Sequence, residues 1–225
     1  MKLDQEKSKT ISDKVYEVVK ENIINLELPP GELISEKEIS TMLGVSRTPV
    51  RAAFDRLVQE GLIEVFPQKG TRISLIDLKS VKKALYVRSR LEMAAIDLLR
   101  LDEKGLDFSH IQILIGQQTE AIQNGEFYDF FKLDERFHEA LIVLSGNLLI
   151  WEAIQKVDSH LKRMRVLALT NKSKFKSVME EHRNLLHALE AKEYDEAIKI
   201  LDAHINGLNY EEGKKLREQF PAFFK

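Results

Sequence analysis

The chain has no cysteine. That absence removes disulfides, thiolate nucleophiles and every cysteine-based zinc site, and leaves histidine and carboxylate as its only strong metal ligands. A long apolar run is missing as well: the polar start MKLDQEKSKT is followed by none, so neither a secretory signal nor a membrane span is expected, and a cytoplasmic location is. Charge of one sign is also lacking. With 34 basic and 36 acidic residues the net charge is −2, so bulk charge draws the chain neither to nucleic acid nor to a membrane, and any basic patch must be local. No repeat or low-complexity tract appears. What remains is an ordinary globular composition, 44% hydrophobic over 225 residues, enough for one large domain or two modest ones.

Two textures meet near residue 75. Before it, short elements are punctuated by LPPG, LGVS, EGL and PQKG; after it, helical periodicity runs almost unbroken. In the first part, Ile11, Val15, Val18, Val19, Ile23 and Leu26 recur at helical spacing, and that helix must end before Pro29-Pro30-Gly31. Ser35 and Glu38 read as a capping box for a short second helix with Ile39 and Leu43 inward, ended by Gly44 in a left-handed conformation. Ser46 stands as the N-cap of a third helix whose buried stripe is Val50, Ala53, Phe54 and Leu57, with Gly61 as its stop. Pro49 has no N–H, so the Ser46 hydroxyl can cap only through the Thr48 amide. LIEVF and TRISL, separated by Pro67-Gln68-Lys69-Gly70, then read as a two-stranded hairpin. Helix, helix, tight turn, helix, hairpin is the order of a winged helix-turn-helix.

In such a unit the third helix enters the DNA major groove with its N-terminal residues at the base edges. Arg47 and Arg51, one turn apart on the face opposite the apolar stripe, can reach guanine edges or phosphate. Thr48 and the free amides at the Ser46 end of the helix can hold a phosphate. Residues 1–75 carry 11 basic and 12 acidic residues, a segment net charge of −1, which taken alone would make the two arginines plain surface charges. The order of elements argues for DNA. The stretch GELISEKEISTMLGVSRTPVRAAFDRLVQEGLIEVFPQKGTRI resembles the DNA-binding domain of GntR-family bacterial transcription regulators, through SRTPVR, the following EGLI and the glycine-bearing wing. That resemblance implies DNA contact by Lys37 on the second helix, by Arg47, Thr48 and Arg51 on the third, and by the wing at Lys69 and Gly70. Ala52 and Phe54 depart from the Glu and Leu that members often carry, at positions not expected to touch a base.

After Asp77, an expected N-cap, six helices are predicted, roughly over 77–101, 109–124, 126–145, 147–170, 173–191 and 193–217, closing into an antiparallel bundle. The fold class is therefore mainly α: a winged helix-turn-helix over 1–75 and an all-helical bundle over 76–225. Polar residues intrude on the bundle's apolar faces. Asp134 and His138 share a face with Phe130 and Leu141; His182 lies in the stripe of Val178, Leu185 and Leu189; His204 lies with Ala197 and Leu201; Arg88 lies with Ala84, Leu91 and Ala95. Such groups are costly to bury unless they satisfy one another or bind something. Asp134, His138, His182 and His204 together make an Asp/His₃ site suited to Zn²⁺ or Ni²⁺, and to Mn²⁺ through the carboxylate. His187 points off the face of His182, and His110 and His160 are not enlisted.

DERFHEAL, EEHRNLLHAL and LDAHI resemble the FCD effector-binding domain (the FadR C-terminal domain) of the same family. The four ligands fall on that domain's metal positions, and Arg88 in VRSRLE on a pocket arginine. Six helices resemble the VanR-like branch more than the seven-helix FadR-like one. The resemblance implies a homodimeric regulator, more commonly a repressor, of a palindromic operator, whose small carboxylate effector completes the metal coordination. Two other readings stand beside it. A metal-dependent hydrolase could use the Asp/His site to activate water, with Glu92 the only base on the pocket face and a natural ion-pair partner of Arg88. A helical interaction protein would use the same residues structurally.

Overall fold

The computed structural model describes residues 9–67, 70–101, 105–169, 174–207 and 210–225. Helix α1 (Ile11–Ile24) is opened by a reciprocal cap: the Thr10 hydroxyl accepts from the Asp13 amide at 3.1 Å, and the Asp13 carboxylate accepts from the Thr10 amide at 3.1 Å. Helix α2 (Glu36–Leu43) starts on Ser35, whose hydroxyl accepts from the Glu38 amide, and ends on Gly44 at φ 63°. Helix α3 (Arg47–Gln59) follows that turn.

Ser46 is the N-cap residue of α3 but makes no side-chain capping bond. Pro49 removes the amide such a cap normally uses, and the Thr48 amide is not recruited in its place, so the expected Ser46 cap is corrected. The α3 stripe of Val50, Ala53, Phe54 and Leu57 is buried against α1 as expected. The α1 stripe is not quite the expected one. Ile11 (60%) and Val18 (43%) are exposed, and Tyr16 and Ile24 are buried instead. Tyr16 can take that place because its hydroxyl donates to Glu60, which also accepts from Lys20 at 2.6 Å.

The wing is one strand larger than the hairpin read from the sequence. Strand β2 (Ile63–Phe66) pairs antiparallel with β3 (Gly70–Ile73), and β3 pairs on its other edge with β1 (Leu33–Ile34), giving the order β1-β3-β2. The chain divides into two units. One takes the described residues up to Ile76 together with Phe220–Lys225; the other runs Asp77–Gln219. Within the first, the Ile76 amide donates to the Phe223 carbonyl at 2.8 Å and the Lys225 amide to the Ile76 carbonyl at 3.1 Å, burying Phe224.

The second unit is all helix among its described residues: α4 (Leu78–Leu99), α5 (Ser109–Asn124), α6 (Phe127–Leu144), α7 (Leu148–Gln155), α8 (Ser159–Ala168), α9 (Lys174–Glu190), α10 (Tyr194–Gly207) and α11 (Tyr210–Gln219). Two of the six expected helices are each broken in two. The 147–170 helix breaks before Asp158-Ser159, residue types that favour helix starts, and Asp158 is buried facing Lys162 at 3.2 Å. The 193–217 helix ends its first half at Gly207. The six-helix count therefore lends nothing to either branch of the family. Asp77 caps α4 as expected, accepting from the Lys79 amide at 2.9 Å. Helix α4 is the bundle's centre, packing on α6, α7, α8, α10 and α11. Glycine at 213 allows α11 to lie close, since a Cβ there would stand 2.8 Å from Leu78 Cδ2. No helix among the described residues is long and apolar enough to cross a membrane.

Leu57 of α3 is fully buried. Leu57→Ala should therefore lower unfolding free energy by about 2–5 kcal/mol, measured by denaturant titration.

Candidate metal centre and DNA-binding surface

The turn at Gly44 sets α3 so that its apolar stripe faces α1 and its first turn faces outward. Ser46, Arg47, Thr48 and Arg51 are all exposed there, as are Lys37 on α2 and Gly70 at the start of β3. Lys69 lies outside the described residues. Arg56, further along α3, is held instead by Asp13 at 2.8 Å and by the face of Tyr16. The sequence-expected cations are thus the ones the helix start presents.

In the bundle, four side chains from three helices meet. Asp134 and His138 come from α6, His182 from α9 and His204 from α10, and one donor atom from each lies within 4.8 Å of the others. His138 Nε2 is 3.2 Å and His182 Nε2 3.3 Å from His204 Nε2. Asp134 places Oδ2 3.7 Å from His138 Nε2 and Oδ1 3.5 Å from His182 Nε2. Donor atoms about 2.0–2.1 Å from a tetrahedral zinc lie about 3.3 Å from one another. The spacing therefore suits a small divalent ion.

The protons point to the same conclusion. His138 Nδ1 lies 2.6 Å from the Glu92 carboxylate, His204 Nδ1 2.7 Å from the Glu181 carboxylate, and His182 Nδ1 2.9 Å from Gln118 Oε1. Each partner is an acceptor, so each Nδ1 donates, and in a neutral imidazole the facing Nε2 is then the free lone pair. Three lone pairs and a carboxylate facing one another in a buried space repel unless a cation sits among them. Carboxylates and carbonyls behind the imidazoles are also the arrangement that orients histidine toward a metal.

A cavity of about 210 Å³ opens beside His138, Asp134 and His204, lined otherwise by Arg88, Arg165 and apolar residues including Phe130, Phe175 and Ile205. Arg88 donates from Nε to Glu92 at 2.6 Å and from Nη1 to Glu135 at 2.9 Å, and its Nη2 is buried without a partner.

Family models match both units. Residues 11–73 match the gntR family of bacterial regulatory proteins, and residues 84–207 match the FCD domain. The chain belongs to the GntR family. This GntR-family chain is 30% identical over 195 residues to the HTH-type transcriptional regulator YdhC of Bacillus subtilis, covering 85% of this chain and 86% of that one. It is 26% identical to the HTH-type transcriptional repressor RspR of Escherichia coli, over 95% of this chain and 93% of that one. The fold is that of Escherichia coli McbR/YncC, with a TM-score of 0.79 at 20% identity, covering 95% of this chain and all of that one. The family is one of transcriptional regulators that bind DNA through a helix-turn-helix, and the protein is not an enzyme.

Burial would raise the Glu92 carboxyl, but His138 and Arg88 hold it down to about 2, and both of its oxygens are occupied. It is no base for water. Asp134 is likewise kept ionised against burial, first by Arg165 and then by the histidines. Sequence reasoning missed Gln118, Glu181 and Arg165. Gln118 was findable, a polar residue in the stripe Ile111, Leu114, Ile115 and Ala121 of α5. Glu181 carried no signal, and the unbroken 147–170 helix hid the face of Arg165. His187 is exposed, as expected.

Burial pushes the imidazoles of His138 and His182 below the usual histidine range. In the metal-free protein the unfolded chain then binds more protons than the folded one as pH falls below about 6.5, so stability should drop there. Melting temperatures in chelator between about pH 7.5 and 5.5 should decline; a flat profile would contradict neutral, buried imidazoles.

Proposed function

We propose that this chain is a metabolite-responsive repressor that binds a palindromic operator as a homodimer. The first unit is its DNA-binding domain and the second its effector-binding and dimerisation domain. One recognition helix per chain reads too few bases to select an operator, whereas a two-fold pair reads two half-sites. DNA contacts are assigned to Lys37, Ser46, Arg47, Thr48, Arg51, Lys69 and Gly70. The similarity to RspR, named a repressor, supports repression over activation.

The observation that carries the effector reading is the convergence of the three Nε2 lone pairs and Asp134 at a cavity wall where Arg88 Nη2 has no partner. Asp134, His138, His182 and His204 would hold Zn²⁺ or Ni²⁺, with Mn²⁺ the third choice. A bound ion supplies open coordination positions for a carboxylate oxygen. Arg88, pinned by Glu92 and Glu135, turns its remaining donors to the same carboxylate. The cavity is below the roughly 300–1,000 Å³ of drug-sized sites, which fits a small acid.

A thermal-shift screen of small carboxylic acids, with and without added Zn²⁺, tests the reading: an effector should raise the melting temperature only in the metal-loaded protein. Chelator alone should lower it, and Zn²⁺ or Ni²⁺ should restore it, because the ion joins α6, α9 and α10. Replacing His182 by Ala should weaken metal binding, while His187→Ala leaves it unchanged. On operator DNA, Arg47→Ala and Arg51→Ala should each cost about 1–3 kcal/mol in mobility-shift titrations. Unchanged affinity in both would remove the recognition assignment.

A further inference from the structure

Arg165 of α8 sits in the cavity wall and bonds Asp134 Oδ2 through one terminal nitrogen and Glu135 Oε1 through the other. Asp134 Oδ2 is also the oxygen nearer His138 Nε2. A guanidinium and the ligand set thus address one carboxylate. In the metal-free protein this pairing compensates a buried carboxylate: Asp134 is 2% exposed, and without Arg165 it would lose its guanidinium partner. A divalent ion reverses the situation. Two cations would then share one carboxylate at short range in a low-dielectric site, where repulsion is strong.

The wall holds two arginines of unequal fixity. Arg88 is 3% exposed and clamped between Glu92 and Glu135. Arg165 is 17% exposed, lies over the Phe131 ring, and keeps Glu135 as an anchor whatever happens at Asp134. Glu135 is itself held by Lys162 at 2.9 Å, so it need not follow Arg165. Arg165 is the one free to swing.

We propose that Arg165 is the site's internal competitor for its metal. It neutralises Asp134 while the site is empty of cation, and yields that oxygen when the four ligands close, becoming a second guanidinium beside Arg88 for an anion. This rests on the metal reading above. It means that an anion bound by the released Arg165 favours metal retention, and metal favours the anion, by the same factor.

The test is the sign of a change in zinc affinity, measured on the full-length protein by competition with a chromophoric chelator. Arg165→Met should bind zinc at least about tenfold more tightly than wild type, because a competing cation is gone. Arg165→Lys, which keeps the charge but not the fork, should fall between the two. If Arg165 merely positions Asp134, Arg165→Met would bind zinc more weakly, and equal or weaker binding overturns the proposal. Acetate, as the carboxylate probe, should stabilise zinc-loaded wild type more than zinc-loaded Arg165→Met; equal stabilisation removes the second half of the proposal. His182→Ala is the control on the underlying reading: if its zinc affinity matches wild type, the metal site itself is wrong, whatever Arg165→Met does.

Discussion

Everything distinctive in the bundle depends on keeping three imidazole lone pairs aimed at one another. A histidine left to itself places its proton on whichever nitrogen has an acceptor, so three converging rings would relax by protonation or rotation. Here each ring is fixed from behind, by Glu92 on α4, Gln118 on α5 and Glu181 on α9. The stacking of Phe137 on His182 at 4.0 Å and of His138 on His204 at 5.2 Å removes the remaining rotational freedom. Such a construction contributes little to stability. It makes sense as a site prepared for a cation.

The same constraint spreads outward as buried charge. Glu92 holds both His138 and Arg88; Arg88 shares Glu135 with Arg165 and Lys162; Lys162 reaches Asp158 at the start of α8. Buried ion pairs of this kind seldom outweigh their desolvation, but removing one member strands the others. Occupancy of the cavity is therefore felt along a chain of groups linking α4, α6 and α8. For the proposed effector, that would be a physical route to altered helix positions.

Much of this was legible in the sequence because helical periodicity reports faces. Asp134, His138, His182, His204 and Arg88 announced themselves as polar residues at apolar phase, and Gln118 carried the same mark. Breaks in a helix carry a weaker signal. The apolar phase of Ile150 and Ile154 runs on through Leu161 and Ala168, so the interruption before Asp158 was invisible to periodicity, and with it the side from which Arg165 enters. The two-residue strand at Leu33–Ile34 is too short to show any alternation. The missing Ser46 cap is a case of a local rule losing to Pro49, which offers no amide at the third helical position.

The DNA-binding unit poses a different problem, since its segment charge of −1 offers no general attraction to phosphate. Several of the acids, however, are paired with cations. Glu60 is engaged by Lys20 and Tyr16, Asp13 by Arg56 and by the Thr10 cap, and Glu64 by Arg72 across the wing at 2.9 Å. Each such pair is close to neutral at distances well beyond its own separation. Arg47 and Arg51 stand exposed in the first two turns of α3, where the helix dipole adds partial positive charge, and Lys37 is exposed at the start of α2. Positive charge is therefore concentrated at the start of α3 although the segment sum is −1, and weak attraction elsewhere would favour sequence-specific over indiscriminate binding.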